Sequence, residues 1–383
     1  MSKLEQFLDA KPLYYETIDY SRMPRIYEKV KESFRVPKII HLIGTNGKGT
    51  TGRFLASALC SLGYSTGHYT SPHILNFNER IWINSQDISD KELDIAHEKL
   101  LEILSKEDAD ALSYFEYTTL LAMLVFQGLE YVVLEAGLGG EHDATAVFNK
   151  SLTLVTPIDI DHEAFLGLTI KSIATTKLNA IQNYAILAEQ VHAEVYEIAS
   201  SIAFNKELII SKVTTYIDEK DRNIISNIAL ELGLPEYLID NLTLSVSALN
   251  FLKIPYKKEN FADSKLFGRL SRFKPNILID VGHNTLAAKA ILNALKRKKY
   301  ILVYNSYKDK NYTEIFAILK PIIKHVEIIS VSDTRIEESS LLQKSLADLD
   351  IKYKNFTNIN ESQEYLVFGS FSVIEEFLKV YDE

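Results

Sequence analysis

Three features of the sequence predict an α/β fold in two parts: a larger N-terminal part built on a P-loop and a largely parallel sheet, and a smaller Rossmann-like C-terminal part. The first is the apolar run Lys38-Ile39-Ile40-His41-Leu42-Ile43, which enters the turn Gly44-Thr45-Asn46-Gly47-Lys48-Gly49 and then a helix start. The second is a repeated alternation of short apolar runs with helical periodicity, the pattern of a sheet with helical crossovers. The third is a fresh series of the same kind that begins at Asn276, after a less regular middle.

Each element follows from its residues. The unbroken apolar character of 38–43 reads as a strand buried on both faces, and helix 47–62 follows the glycine turn. Thr66–Tyr69 reads as the next strand, followed by helices Ser89–Leu104 and Tyr114–Gln127, where apolar positions recur with helical spacing. Tyr131–Leu134 and Leu152–Thr156 are again short apolar strands, helix Thr169–Gln182 follows, and Ala185–Leu187 completes the first series. The second series comprises strand Asn276–Asp280, helix Thr285–Lys296, strand Ile301–Tyr304, helix Thr313–Lys324, strand Val326–Ser330, helix Glu337–Leu349 and strand Leu366–Ser370. The polar stretch Lys257–Arg269 holds the boundary, which predicts domains 1–264 and 265–383. The chain shows no internal repeat or low-complexity region.

Composition narrows the functional classes. At 383 residues, 46% hydrophobic and 24% charged, the chain can fill one large or two ordinary cores. A net charge of -9 argues against general nucleic-acid binding. The start Met1-Ser2-Lys3-Leu4-Glu5-Gln6 lacks a signal-peptide core, and the most apolar stretch, Leu120 to Leu134, is interrupted by Gln127 and Glu130 before it could span a bilayer. A cytoplasmic protein with no membrane partner is expected. The single cysteine, Cys60, lies in the helix after the P-loop and reads as a small buried filler.

The P-loop predicts an ATPase-type nucleotide site. Its glycines admit backbone N–H groups to phosphate oxygens, Lys48 supplies positive charge, and the helix dipole points at the same anion. The position after the lysine, where a Mg²⁺-binding hydroxyl is usual, is Gly49, so metal ligands are expected elsewhere. Glu135 ends the apolar strand of Tyr131–Leu134 and precedes Gly137, Gly139 and Gly140, which places its carboxylate at the ligand-binding edge of the sheet. The run Pro157-Ile158-Asp159-Ile160-Asp161-His162 brings acids and an imidazole to the same edge. Thr70-Ser71-Pro72-His73 offers the missing hydroxyl, or is simply a turn. In the C-terminal part, Asp280-Val281-Gly282-His283-Asn284 occupies a βα loop, with Asn284 either a ligand contact or a helix cap.

Gly44–Thr51, Thr70–His73 with Phe77-Asn78-Glu79-Arg80, Glu135–Gly140, Asp161-His162 with Leu166-Gly167, Asn241, Gly268-Arg269 and Asp280–Asn284 together resemble the dihydrofolate synthase/folylpolyglutamate synthase family of the Mur ligase superfamily. The resemblance runs through nearly the whole chain in the family's order. It implies that Thr45, Asn46, Gly47 and Lys48 hold ATP phosphates, and that Ser71, Glu135 and His162 ligate Mg²⁺. Lys177 corresponds to a lysine carrying a carbamate, able to support a second metal ion, although its neighbours Thr176, Leu178 and Asn179 depart from the family pattern. Arg269, Asp280 and His283 would reach the ATP from the smaller domain, with Asn241 on the adenine side.

For a pterin ring the resemblance points to Thr17-Ile18-Asp19-Tyr20, Ser113-Tyr114-Phe115-Glu116 and His142-Asp143-Ala144. Aromatic side chains there would stack on a flat ring, and Asp143 would pair with ring N–H donors. Tyr114 and Phe115 also open an amphipathic helix, which suits a core role. The implied reaction is ATP-driven amide ligation: a carboxylate of dihydropteroate or a reduced folate takes the γ-phosphoryl group as an acyl phosphate, and the amine of L-glutamate displaces phosphate. Lys48, His162 and Lys177 are the expected catalytic set, and a monomer is implied. A Mur-type cell-wall peptide ligase and a non-catalytic nucleotide-binding regulator are the alternatives.

Overall fold

The computed structural model describes residues 2–11 and 19–382, so the expected substrate residues Thr17 and Ile18 lie outside the described residues. The chain divides into a unit of Met1–Leu234 with Leu238–Lys265 and a second of Pro235–Tyr237 with Leu266–Glu383. The inclusion of Pro235–Tyr237 in the second unit has a local cause: the Tyr237 hydroxyl donates to Asp280 Oδ2 at 3.0 Å.

The first unit carries β1 (Lys38–Ile43), β2 (Thr66–Tyr69), β3 (Ile81–Ile83), β4 (Gln86–Asp87), β5 (Tyr131–Glu135), β6 (Leu152–Val155), β7 (Tyr184–Leu187) and β8 (Ile209–Lys212), in the order β4-β3-β2-β5-β1-β6-β7-β8. The pairs β2/β3 and β3/β4 are antiparallel and the rest are parallel. Strand β1 is central because both faces are apolar. Ile39 packs in a core with Leu120 and Leu121 of helix Tyr114–Val125, while Ile40 and Leu42 pack with Phe54, Leu55 and Leu59 of helix Lys48–Ser61. All the parallel strands therefore end on one edge, and the loops after β1, β2, β5 and β6 gather there.

In the second unit β9 (Ser271–Lys274), β10 (Ile277–Asp280), β11 (Tyr300–Tyr304), β12 (Ile323–Ile328), β13 (Tyr353–Asn355) and β14 (Tyr365–Phe368) take the order β13-β12-β11-β14-β10-β9, antiparallel only at β9/β10. Two sheets of this kind give the expected α/β class.

Some expected elements are corrected. The helix expected over 313–324 ends at Leu319, because Pro321 lacks an N–H and Ile323 and Lys324 already belong to β12. Helix Thr169–Gln182 is shorter, Ile170–Leu178, with Thr169 as its cap. The irregular middle contains helices Glu194–Lys206, Glu219–Leu232 and Glu236–Phe251. The last of these buries Asn241, Ser245 and Ser247 among its apolar residues, which blurs its periodicity. No described helix is long and apolar enough to cross a membrane.

Candidate active site

The loop after β1 is shaped by glycines. Gly44 has φ +139°, and a Cβ there would fall 2.0 Å from Thr156 Oγ1; Gly47 has φ +92°, and a Cβ would fall 2.4 Å from Asn241 Oδ1. Only glycine fits either position. Gly47 also caps helix Lys48–Ser61 and provides no side-chain acceptor, so the first N–H donors of that helix remain available to a ligand. The hydroxyls of Thr50 and Thr51 are buried and without a hydrogen-bond partner among the described residues.

Two lysines converge on this loop. Lys48 Nζ makes only long contacts, 3.3 Å to Gly44 O and 3.4 Å to Thr45 O, and lies 3.9 Å from Glu135 Oε1. Lys177 is 4% exposed and donates from Nζ to the same Gly44 carbonyl at 2.9 Å. Burial, and then the charge of Lys48, push the Lys177 amine down to about 7. Gly140 makes that approach possible, since a Cβ there would sit 2.6 Å from Lys177 O. Lys177 is thus no surface residue of its helix but an amine at the phosphate loop.

The carboxylate of Glu135, 5% exposed at the end of β5, faces Lys48. Its Oε2 accepts from the Thr70 hydroxyl and, at 3.4 Å, from Ser71 N–H. A carboxylate beside hydroxyls of the β2 loop is an oxygen-donor set that fits Mg²⁺. His162 stands at φ +55°, its side chain 40% exposed and Nε2 4.0 Å from Asp161 Oδ2. No group of three His, Cys, Asp or Glu side chains with metal-binding spacing occurs among the described residues, so such a site leans on Ser71 or Thr70.

Thr45 is tied to the β6 loop: its hydroxyl donates to Asp159 O and accepts from Asp159 N, each at 3.0 Å. Asn46 is half-buried between Thr45 and Gly47. Asn241, expected on the adenine side, has its amide oxygen against the bare Cα of Gly47, on the phosphate loop itself.

No family model matches the sequence. The dihydrofolate synthase/folylpolyglutamate synthase of Haemophilus influenzae is 31% identical, over 96% of this chain and 94% of that protein. Among solved structures, the folylpolyglutamate synthetase of Helicobacter pylori is 38% identical with a TM-score of 0.80, covering 99% of this chain and 98% of the other. An Escherichia coli structure in complex with DHPP and ADP shares the fold, with a TM-score of 0.81 at 24% identity over 98% of this chain and 96% of the other. The chain belongs to the dihydrofolate synthase/folylpolyglutamate synthase family.

The residues that the family resemblance assigns to the pterin are brought only partly together. Tyr20 and His142, both exposed, stand with ring centroids 4.6 Å apart and line a cavity of about 510 Å³ with Tyr27, Lys31 and Glu141. Asp143 borders the same cavity, but its carboxylate is already engaged. Oδ1 accepts from Thr145 N–H at 2.9 Å and Thr145 O–H at 2.6 Å, and Oδ2 accepts from Leu138 N–H at 2.9 Å. Three donors already engage its two oxygens, two on Oδ1 and one on Oδ2. Burial raises the Asp143 carboxyl, and these hydrogen bonds oppose the rise. His41 on β1 completes the chain, its Nε2 2.8 Å from Thr145 Oγ1; because that hydroxyl donates to Asp143, Nε2 carries the proton.

Ser113 and Glu116 form a capping box on helix Tyr114–Val125, and Glu116 Oε2 also accepts from Arg22 Nε at 2.7 Å. Both thus have a structural role at the start of this helix. Asp19 likewise accepts from Ser21 N–H and O–H at 3.0 and 2.7 Å, which holds its carboxyl below the usual range. Phe115 covers the bare Cα of Gly137, and Ala144 begins a buried 3₁₀ turn.

In the second unit, Asp280 ends β10 and accepts from Gly282 N–H and Leu270 N–H at 2.8 Å as well as from Tyr237. Burial raises its carboxyl and Arg269 opposes this. Arg269 donates to Gly268 O at 3.1 Å and lies over the Phe371 ring, while His283 Nδ1 is 3.1 Å from Val281 O. Asn284 caps the next helix through Ala287 N–H, the second of its two expected roles. Sequence reasoning missed Thr70 as the direct partner of Glu135; its position one residue ahead of Ser71 was the available signal.

Proposed function

We infer that the chain joins L-glutamate to a carboxylate of dihydropteroate, and of reduced folates, with hydrolysis of ATP to ADP and phosphate. The carrying observation is the convergence of Lys48 and Lys177 on the Gly44 carbonyl, beside the uncapped helix N-terminus and facing Glu135. An ammonium and a buried amine around one carbonyl, beside a helix N-terminus with no side-chain cap, form a cluster of donors and positive charge that suits a triphosphate.

The roles follow. Thr45, Asn46, Gly47 and Lys48 hold phosphates, and Asn241 steadies Gly47. Glu135, Ser71 and His162 would hold Mg²⁺, which when bound offsets phosphate charge as the carboxylate approaches. Lys48 stabilises charge that grows on the transferring phosphoryl group. Lys177, with its amine pushed down to about 7, is in part in the neutral form that attacks CO₂ to give a carbamate and a proton, which would set an anion beside the Lys48 ammonium. Arg269, Asp280 and His283 keep the nucleotide role that the family resemblance implies, and Tyr20, Phe115 and His142 offer rings to the pterin. The enzyme acts as a monomer in the cytoplasm.

The test is ADP release by purified protein with Mg²⁺, ATP and L-glutamate, comparing dihydropteroate with tetrahydrofolate. Turnover with both acceptors is expected. ADP release only with cell-wall peptide precursors would favour the Mur branch, and tight ATP binding without turnover on any acceptor would favour a regulator.

A further inference from the structure

Arg80 is a buried cation that the roles above leave unused. It is 8% exposed, and its carbonyl accepts from Thr70 N–H at 3.0 Å, which sets it beside the loop that reaches Glu135. Among the described residues its guanidinium makes one hydrogen bond, Nε donating to His73 Nδ1 at 2.7 Å, and no ion pair with a carboxylate. Its neighbour Glu79 cannot neutralise it, because that carboxylate accepts from the N–H groups of Ile74, Leu75 and Asn76 at 2.7, 2.8 and 2.8 Å. The rings of Phe77 and Tyr114 flank the guanidinium at 5.8 and 5.3 Å. Neither Nη atom is among the unpartnered side-chain atoms sealed from solvent, so the fork opens onto accessible space. A guanidinium held in a largely buried setting with four N–H donors turned to accessible space is a ready partner for an anion.

We propose that Arg80 is a carboxylate-binding site for one of the two acidic substrates, with His73 fixing the plane of the guanidinium and Tyr114 and Phe77 forming its walls. The ligand class follows from shape: two Nη groups in one plane match the two oxygens of a carboxylate. His73 is suited to the aiming role because its Nδ1 accepts from Arg80 Nε at 2.7 Å. The carboxylate belongs either to L-glutamate or to the pteroyl or folyl acceptor. This inference rests on the ligase reading.

The experiment varies L-glutamate, acceptor and ATP separately in ADP-release assays of wild type, Arg80→Gln and Arg80→Lys. In Arg80→Gln the KM of one acidic substrate rises about tenfold or more while the KM for ATP stays within about twofold; Arg80→Lys recovers only part, as a point charge without the fork. The substrate whose KM moves identifies the source. Unchanged KM values for both acids, or a rise confined to ATP, overturn the proposal. If thermal melting shows Arg80→Gln unfolded, wild type is treated with phenylglyoxal and modification of Arg80 is followed by peptide mass. Slower modification with one of the acids supports the site, and equal rates with neither, either and both overturn it. A wild type inactive with every acceptor defeats the ligase reading, whereas an active wild type with an indifferent Arg80 defeats this inference alone.

Discussion

The loops that follow β1 and β5 leave neighbouring parallel strands at the same edge of one sheet, yet they treat their polar groups in opposite ways. After β1, the helix cap has no side chain, Lys48 has only long contacts, and two buried threonine hydroxyls lack partners among the described residues. After β5, three hydrogen bonds engage both oxygens of Asp143, and His41 and Thr145 support it from behind. One loop is polar and incomplete without a ligand; the other is complete by itself. A binding function is therefore read better from unsatisfied groups than from the count of polar residues.

The largest expected effect tests the incomplete loop. Lys48→Ala should cut ligation by about a thousandfold or more, about 4 kcal/mol of transition-state stabilisation, with stability changed by less than about 0.5 kcal/mol. ADP release and thermal melting measure the two quantities. Ligation within about twofold of wild type would sink the phosphate-loop assignment.

Asp143→Ala should give the reverse pattern. Removing a buried acceptor strands the Thr145 and Leu138 donors, so unfolding free energy should fall by about 3 kcal/mol in denaturant titration. If stability holds while only the KM for dihydropteroate rises, the β5 loop is a ligand site after all and the contrast fails.

How much of this was legible in the sequence depends on whether a property is local. Strands β1 and β2 match their apolar runs residue for residue, whereas β8, β9 and β13 are short and partly exposed edge strands with no such run. Lys48 and Glu135 could be placed because a glycine turn and an apolar strand fix where each side chain emerges. The burial of Lys177 could not, since it depends on Gly140 admitting the helix from another part of the chain. Arg80 is the same kind of case: its lack of an acid follows from Glu79 turning to backbone N–H groups.

A third effect concerns pH. The Lys177 amine is held at about 7 when folded against an ordinary value of 10.5, so between these limits the unfolded chain binds one more proton. Stability from this group should therefore rise with pH across that window, by up to about 1.4 kcal/mol per unit, and carbamate formation on the neutral amine acts in the same direction. Lys177→Met should flatten the curve. Superimposable stability profiles for variant and wild type between pH 7 and 10.5 would show that the amine is not desolvated as described.

The smallest effect is expected at His162, and it measures how far the metal set extends from β5. Glu135 is buried and pinned by Thr70, so its carboxylate is preorganised for a hard cation; Glu135→Gln should raise the Mg²⁺ concentration for half-maximal activity about tenfold, or about 1.4 kcal/mol. His162 is half-exposed, offers nitrogen where oxygen is preferred, and sits beside Asp161, which could supply a carboxylate in its place. His162→Ala should accordingly shift the Mg²⁺ titration by only about threefold, with the larger share of any loss recovered by Mn²⁺, which accepts imidazole more readily. A His162→Ala titration that overlays the wild type with both ions would confine the metal to Glu135 and the β2 loop, whereas a shift matching that of Glu135→Gln would make the imidazole an equal ligand despite its exposure.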